Sequence, residues 1–276
     1  MTTTAELSAP AAGQPGPGTA GAVKPSAQLA YLARALRAPV VAEVYERLAE
    51  RARAEGWAYE EYLAAVLDRQ VSARAANGTQ LRINAAHFPA RKSLEEYDYT
   101  HNVGLARQTI AHLGTTSFID AAENVILLGP PGTGKTHLAI GLGIKAAHAG
   151  HRVLFDTAAG WISRLQQAHA KGELPTELAR LARYPLLIID EVGYIPFDAD
   201  AANLFFQLVS SRYEHASLIL TSNMTFSRWG EVFNDDIIAA AMIDRLVHHA
   251  EVVPLKGDSY RTKNRRDQLA STTIKD

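Results

Sequence analysis

The sequence predicts an α/β protein, a parallel sheet with helices on both faces, preceded by a small all-helical domain. Three observations carry that expectation. Val125-Ile126-Leu127-Leu128 is a short apolar strand that runs into a glycine-rich turn and then an apolar-periodic helix containing Leu138, Ile140, Leu142 and Ile144. Leu186-Leu187-Ile188-Ile189 and Leu218-Ile219-Leu220-Thr221 are continuous runs of the kind found in strands buried on both faces. Helical patterns alternate with these strands, which is the signature of parallel pairing.

Composition limits the choices further. The chain has 276 residues, enough for one large core and a smaller domain, and 47% of them are hydrophobic. Its net charge is −1, so any nucleic-acid contact must come from local basic clusters. There is no cysteine, which excludes disulfides, thiolate metal sites and a cysteine nucleophile. No run approaches the ~18 apolar residues of a membrane span, and the N-terminus lacks the pattern of a secretory signal. The expectation is a soluble, cytoplasmic protein.

In chain order, residues 1–26 are rich in Ala, Gly, Pro, Ser and Thr and are expected to be disordered. Residues 27–94 read as the helical domain. Leu29, Leu32, Leu36 and Val40 keep helical spacing, interrupted by Pro39. A second helix runs from Val40 to Glu55 and stops at Gly56. A third runs from Tyr59 to Ala75 with Tyr62, Leu63, Val66 and Leu67 on one face, and Asn77-Gly78 breaks it. Residues 95–276 form the α/β domain. It begins with a helix around Val103–Leu113 and the pair Phe118-Ile119, for which core packing and packing on a base are both open. After the glycine-rich turn come a strand at Arg152–Phe155, helices at Ala158–Ala170 and around Leu174–Leu181, and the strand at 186–189. A helix at Ala201–Tyr213, the strand at 218–221, a helix at Ile237–Val247 and a last strand at Ala250–Val253 complete it. Only residues 254–276 follow, too few for a separate C-terminal lid, so contacts between subunits are expected to complete the site.

The chemistry starts at Gly129-Pro130-Pro131-Gly132-Thr133-Gly134-Lys135-Thr136, followed by His137. The run fits G-x-x-x-x-G-K-[ST] between a strand and a helix, the context that the phosphate-binding loop requires. Glycines let backbone N–H groups curl round phosphates, and the helix N-terminus adds positive potential. Lys135 reaches the β- and γ-phosphates of ATP or ADP, and Thr136 offers a hydroxyl to Mg²⁺.

The strand at 186–189 delivers Asp190-Glu191 to the mouth of the sheet. Asp190 is the expected metal-side acid, and Glu191 can orient or deprotonate an attacking water. Asn223, at the tip of the strand at 218–222, can bond that water or the γ-phosphate; an Asx-turn cap is the competing role. Arg245 and Arg261 are catalytic candidates of a different kind, cations able to meet a phosphate in a neighbouring subunit or in their own.

Charge is also distributed unevenly. No Asp or Glu lies between Arg69 and Leu94, where Arg69, Arg74, Arg82, Arg91 and Lys92 give a local charge of +5. The stretch reads either as a solvated helix face or as a phosphate-contacting surface.

Taken together, these motifs resemble the AAA+ ATPases of the initiator and loader group, and most closely the IstB-like helper ATPases of insertion sequences. The carriers are Gly129-Pro-Pro-Gly-Thr-Gly-Lys-Thr-His-Leu-Ala139, Leu187-Ile-Ile-Asp-Glu-Val-Gly-Tyr194, Leu220-Thr-Ser-Asn223, Asp244-Arg245-Leu246 and Ser259-Tyr260-Arg261. Ala86-His-Phe-Pro89 and Leu94-Glu-Glu-Tyr-Asp98 extend the likeness, with Tyr97 where the family pattern leads one to expect Phe. The resemblance implies an ATPase whose Arg245 acts in trans as an arginine finger and whose Arg261 is a second sensor. It implies ATP-driven oligomerisation on duplex DNA, deformation of that DNA, and recruitment of a DDE-type transposase, with hydrolysis resetting the complex. It also implies an extra helix between Asp156 and Pro185, so that Arg164, Lys171, Arg180 and Arg183 face DNA. Two other readings stay open: a replicative helicase loader of the DnaC or DnaI type, and a nucleotide-gated DNA scaffold with little turnover.

Overall fold

The computed structural model describes residues 24–102 and 104–257. The expected N-terminal tail, Val103 and the Ser259-Tyr260-Arg261 run lie outside the described residues.

The chain divides into two compact units that meet between Ala75 and Ala76. In the first, α1 (Pro25–Ala35) and α2 (Pro39–Glu55) each start on a proline, whose fixed φ suits the first helical turn. Gly56 ends α2 in the left-handed conformation at φ 69°. The third helix, α3, runs from Tyr59 to Ala85. The small core is Val44, Leu48 and Val66, flanked by Val40, Val41, Tyr62 and Ala65. Gln70 is buried with it and accepts from Val40 N at 3.0 Å. The apolar face expected on α3 therefore splits: Val66 and Tyr62 point inward, while Leu63 and Leu67 are exposed.

The expected break at Asn77-Gly78 does not occur. A helical glycine costs only about 1 kcal/mol relative to Ala, and tertiary anchoring beyond it outweighs that. Arg82 Nε donates to Ala147 O at 2.8 Å, and Ala86 is fully buried. The run after α3 also joins the sheet unit. Phe155 N donates to Ala86 O at 2.9 Å, Phe88 packs edge-on against Phe155, and Leu94 and Tyr97 lie in a core of that unit. The packing thus changes over within α3, whereas the sequence pattern places the join after Leu94.

Among the described residues, the second unit holds five parallel strands in the order β2-β3-β4-β1-β5. They are β1 (Asn124–Leu128), β2 (Val153–Thr157), β3 (Leu186–Val192), β4 (Ser217–Ser222) and β5 (Ala250–Pro254). The helices are α4 (Arg107–Leu113), α5 (Ser117–Asp120), α6 (Lys135–His148), α7 (Ala158–Ala170), α8 (Leu174–Leu181), α9 (Ala199–Arg212), α10 (Trp229–Phe233) and α11 (Asp236–Val247).

Strand side chains alternate between two cores. Ile126, Leu187, Ile189, Leu218 and Leu220 meet Trp161, Leu165, Phe205, Leu208, Trp229 and Met242 on one face. Val125, Leu127, Leu186, Ile188 and Ile219 meet Leu138, Leu142 and Ile110 on the other. Both faces are covered, which is why β1, β3 and β4 read as unbroken apolar runs. Phe118 and Ile119 belong to the second core, which settles their role as packing. Arg212 is buried at the opposite end of the sheet from the glycine-rich turn, where it donates to Leu181 O, Tyr184 O and Ser217 O. Burial pulls its guanidinium down to about 10, so it stays charged at neutral pH.

Candidate functional site

Strand order decides what meets at the carboxyl edge. β4 lies between β1 and β3, so the turn after β1, the tip of β4 and the acids ending β3 sit side by side. Ligands bind at such edges in open parallel sheets. A cleft of ≈ 860 Å³ opens there, lined by Pro131 to His137, Glu191, Thr221 and Asn223, with Pro89 to Lys92, Tyr97 and Asn102 among the remaining wall residues.

The turn after β1 needs its glycines for specific reasons. A Cβ on Gly129 would lie 2.3 Å from Leu255 O, because Leu255 N donates to Leu128 O beside it. Gly134 sits at φ 90°, and a Cβ there would lie 2.6 Å from the Tyr97 ring. Lys135 Nζ donates to Gly129 O at 2.6 Å and Pro130 O at 2.8 Å, across the concave side of the loop. α6 begins at Lys135, so its N-terminal N–H groups and dipole face the same hollow.

The acids are held tightly. Thr136 Oγ1 lies 3.0 Å from both oxygens of the buried Asp190. That all-oxygen set suits a hard divalent cation, with the hydroxyl and one carboxylate oxygen as candidate ligands. Glu191 is exposed and adopts φ 62°, the left-handed region that non-glycine residues rarely occupy. The register of β3 against β4 shifts between Ile189 and Val192, so Glu191 sits on a bulge. Bulges re-aim side chains next to active sites, and the strain of such a residue is of order 1–3 kcal/mol.

A residue with no motif of its own organises both acids. Thr221 Oγ1 donates to Asp190 Oδ1 at 2.5 Å and accepts from Glu191 N at 2.9 Å. Its neighbour Ser222 donates to Val192 O at 2.7 Å and fixes the far side of the bulge. The available signal was the change from apolar to polar at Thr221-Ser222-Asn223, an abrupt switch for a strand buried throughout. We expect Thr221→Val, which keeps the shape, to lower ATP turnover roughly 10- to 100-fold with little change in nucleotide affinity. It leaves Asp190 short of a donor and Glu191 N–H unpaired, defects worth about 1–3 kcal/mol each. Wild-type turnover in that variant would remove Thr221 from the machinery.

The other candidates are distributed as follows. Asn223 lines the cleft, and its buried Oδ1 has no partner, an acceptor left for a group entering the site. His137 Nε2 lies 2.7 Å from Ser93 O and its ring packs edge-on to Tyr97. Arg245 is absent from the cleft wall. It is half-buried on α11, donates to Ala241 O at 3.1 Å, and its guanidinium carbon lies 4.7 Å from the Phe206 ring centroid. Arg261 lies outside the described residues.

The basic residues fall into distinct settings. Arg69 and Arg74 are exposed on α3, where Arg74 also donates to Arg37 O. Arg82 is half-buried and committed to Ala147 O and Thr79 Oγ1. Arg91 and Lys92 are exposed on the wall of the cleft itself. Arg164 and Arg180 share Glu177, at 2.5 and 2.7 Å, so that pair is partly neutralised. Lys171 and Arg183 are exposed.

The phosphate loop, the acid pair on β3 and the polar tip of β4 define an AAA+ nucleotide-binding protein. The family model described as IstB-like ATP binding protein matches residues 31–268, and the chain belongs to that family. It is 44% identical over 221 residues to the insertion sequence IS21 putative ATP-binding protein of Pseudomonas aeruginosa, covering 80% of this chain and 83% of that one. It is 40% identical to the insertion sequence IS5376 putative ATP-binding protein of Geobacillus stearothermophilus, covering 84% and 93%. Among solved structures, AMPPCP-bound DnaA from Aquifex aeolicus superposes with a TM-score of 0.53 at 20% identity, over 67% of this chain and 56% of that one, a likeness of fold. No described helix is long and apolar enough to cross a membrane.

Proposed function

We propose that the protein is a Mg²⁺-dependent ATPase that assembles on duplex DNA as a homo-oligomer, deforms it, and recruits a DDE-type transposase. The observation that carries the proposal is the arrangement at the carboxyl edge: Asp190 against Thr136, and Glu191 held out on a strained bulge beside Asn223. A phosphate-binding protein that only held nucleotide would have no need of an acid in that position. Membership of a family whose relatives are named as ATP-binding proteins of insertion sequences supports the transposition context.

The residue roles in this reading are as follows. Backbone N–H groups of the loop and Lys135 hold the phosphates. Thr136 and Asp190 would hold Mg²⁺, which supplies charge neutralisation at the β- and γ-oxygens. Glu191 accepts the proton of the attacking water, and Asn223 Oδ1 orients that water. Arg245, absent from the cleft wall of its own chain, is suited to a neighbouring subunit's γ-phosphate. Arg261 is proposed as the second sensor, and hydrolysis, stimulated by the partner, resets the assembly.

For DNA, a near-neutral subunit must multiply a few cations by assembly. Arg69 and Arg74 on α3, Arg91 and Lys92 at the cleft wall, and Lys171 and Arg183 are the exposed candidates; Arg82, Arg164 and Arg180 are already engaged. Bending a 20–30 bp site by 40–90° costs about 1–6 kcal/mol, which phosphate contacts from several subunits offset. The test is a salt titration of duplex binding with ATP and with ADP. Wild type should bind only with ATP, tolerate changes of sequence and weaken steeply with salt. Arg69→Ala with Arg74→Ala, or Lys171→Ala with Arg183→Ala, should weaken all duplexes alike. Each should also flatten the salt slope, by about 0.9 for every phosphate left without its cation. Affinity indifferent to salt and nucleotide would rule the reading out.

A further inference from the structure

One aromatic residue of the segment before β1 packs directly against the phosphate loop. Tyr97 is almost fully buried, with its ring packed edge-on against Tyr99 and His137 and facing the bare α-carbon of Gly134. A phenylalanine would serve all of that packing. What the hydroxyl adds is polar: Tyr97 Oη donates to Thr133 O at 2.9 Å. Asn102, also buried, completes a triangle, its Nδ2 donating to Thr133 O at 2.8 Å and to Tyr97 Oη. The oxygen of Thr133 only accepts, so the Asn102 atom facing it is the amide nitrogen.

The consequence lies on the other side of the same peptide. The bond between Thr133 and Gly134 is trans, so its N–H points away from its C=O. Holding Thr133 O against Tyr97 and Asn102 therefore fixes the direction of Gly134 N–H on the far side of the peptide. Gly134 needs this help because its φ of 90° lies in a region where glycine is unconstrained and the peptide plane is free to turn.

We propose that the Tyr97 hydroxyl and the Asn102 carboxamide form a positioning pair that locks the Thr133–Gly134 peptide of the phosphate loop in its phosphate-binding orientation. The pair also lies on the wall of the cleft. It ties the chain segment before β1 to the loop, so that ordering of the segment at 93–102 and capture of polyphosphate become one event. Burial pushes the Tyr97 phenol up to about 12, so the donor is present throughout the physiological range.

The inference rests on the ATP-site reading, and the experiment separates the two. ATP and AMP affinities are measured by competition against a fluorescent ATP analogue, for wild type, Tyr97→Phe, Asn102→Ala and the double variant. AMP lacks the phosphates that the loop amides hold. Tyr97→Phe keeps the ring packing, and should weaken ATP about three- to tenfold while leaving AMP unchanged. The double variant should lose ATP affinity by roughly 100-fold, with the thermal midpoint of Tyr97→Phe close to that of wild type. Wild-type ATP affinity in Tyr97→Phe, or equal weakening of ATP and AMP, would overturn the positioning role while the ATP site stands. Failure of wild-type protein to bind ATP more tightly than Lys135→Ala does would overturn both.

Discussion

Glu191→Gln should stop turnover and leave ATP bound, whereas Lys135→Ala should weaken the binding itself. The two side chains act on different events. Glu191 reaches the cleft from the bulge of β3, and its backbone is held by Thr221 through the amide, not through the carboxylate. Changing the carboxylate to a carboxamide therefore keeps the shape, the bulge and the cradle. It removes only the group able to take a proton from water, an effect of typically 10²–10⁴-fold in rate. Lys135 spans the loop, bonded to the carbonyls of Gly129 and Pro130, and is the cation placed where phosphate charge arrives. A hydrogen bond to a charged group is worth about 1.5–3 kcal/mol, so Lys135→Ala should bind ATP roughly 10- to 100-fold more weakly. Nucleotide affinity and steady-state turnover of both variants make the comparison. Equal loss of binding in the two would sink the division of labour.

Arg245→Ala should abolish turnover by a larger factor while barely changing ATP affinity of the isolated subunit. Losing an arginine finger typically costs ~10³–10⁵ in rate. The guanidinium, carried on α11, is parked over Phe206 of α9 and takes no part in the cleft wall of its own chain. A cation stacked on a partly exposed aromatic is held by about 0.5–1 kcal/mol, little enough to be released when a neighbour's phosphate offers a charged partner. Mixing Arg245→Ala with Glu191→Gln subunits tests action in trans. Each is inactive alone, but a mixed interface can unite an intact Glu191 with an intact Arg245. Activity should reappear on mixing; silence at every ratio would contradict the role.

The sheet was legible because its middle strands are buried on both faces, which writes Leu186–Ile189 and Leu218–Leu220 as unbroken apolar runs. The phosphate loop and Asp190-Glu191 were legible because their chemistry needs fixed residue types at fixed spacing. What escaped were features that depend on tertiary context. Gly78 signals a break by propensity, yet α3 continues because Arg82 and Ala86 are anchored beyond it. The segment from Ala86 to Leu94 reads as the end of the helical domain but packs into the sheet's core, since a burial of scattered residues leaves no period. Thr221 became visible as an organiser only when β4 was seen to lie between β1 and β3. The positive φ of Glu191 has no sequence signature at all.

The most direct test of the account is electron microscopy of the Glu191→Gln protein with ATP, Mg²⁺ and duplex DNA. ATP should persist in every site because hydrolysis is blocked. The account predicts several subunits arrayed along bent DNA, with Arg245 of each beside the γ-phosphate held by its neighbour and Lys171 and Arg183 towards the DNA backbone. Single subunits on straight DNA, or an assembly in which Arg245 stays on Phe206 far from every nucleotide, would contradict it.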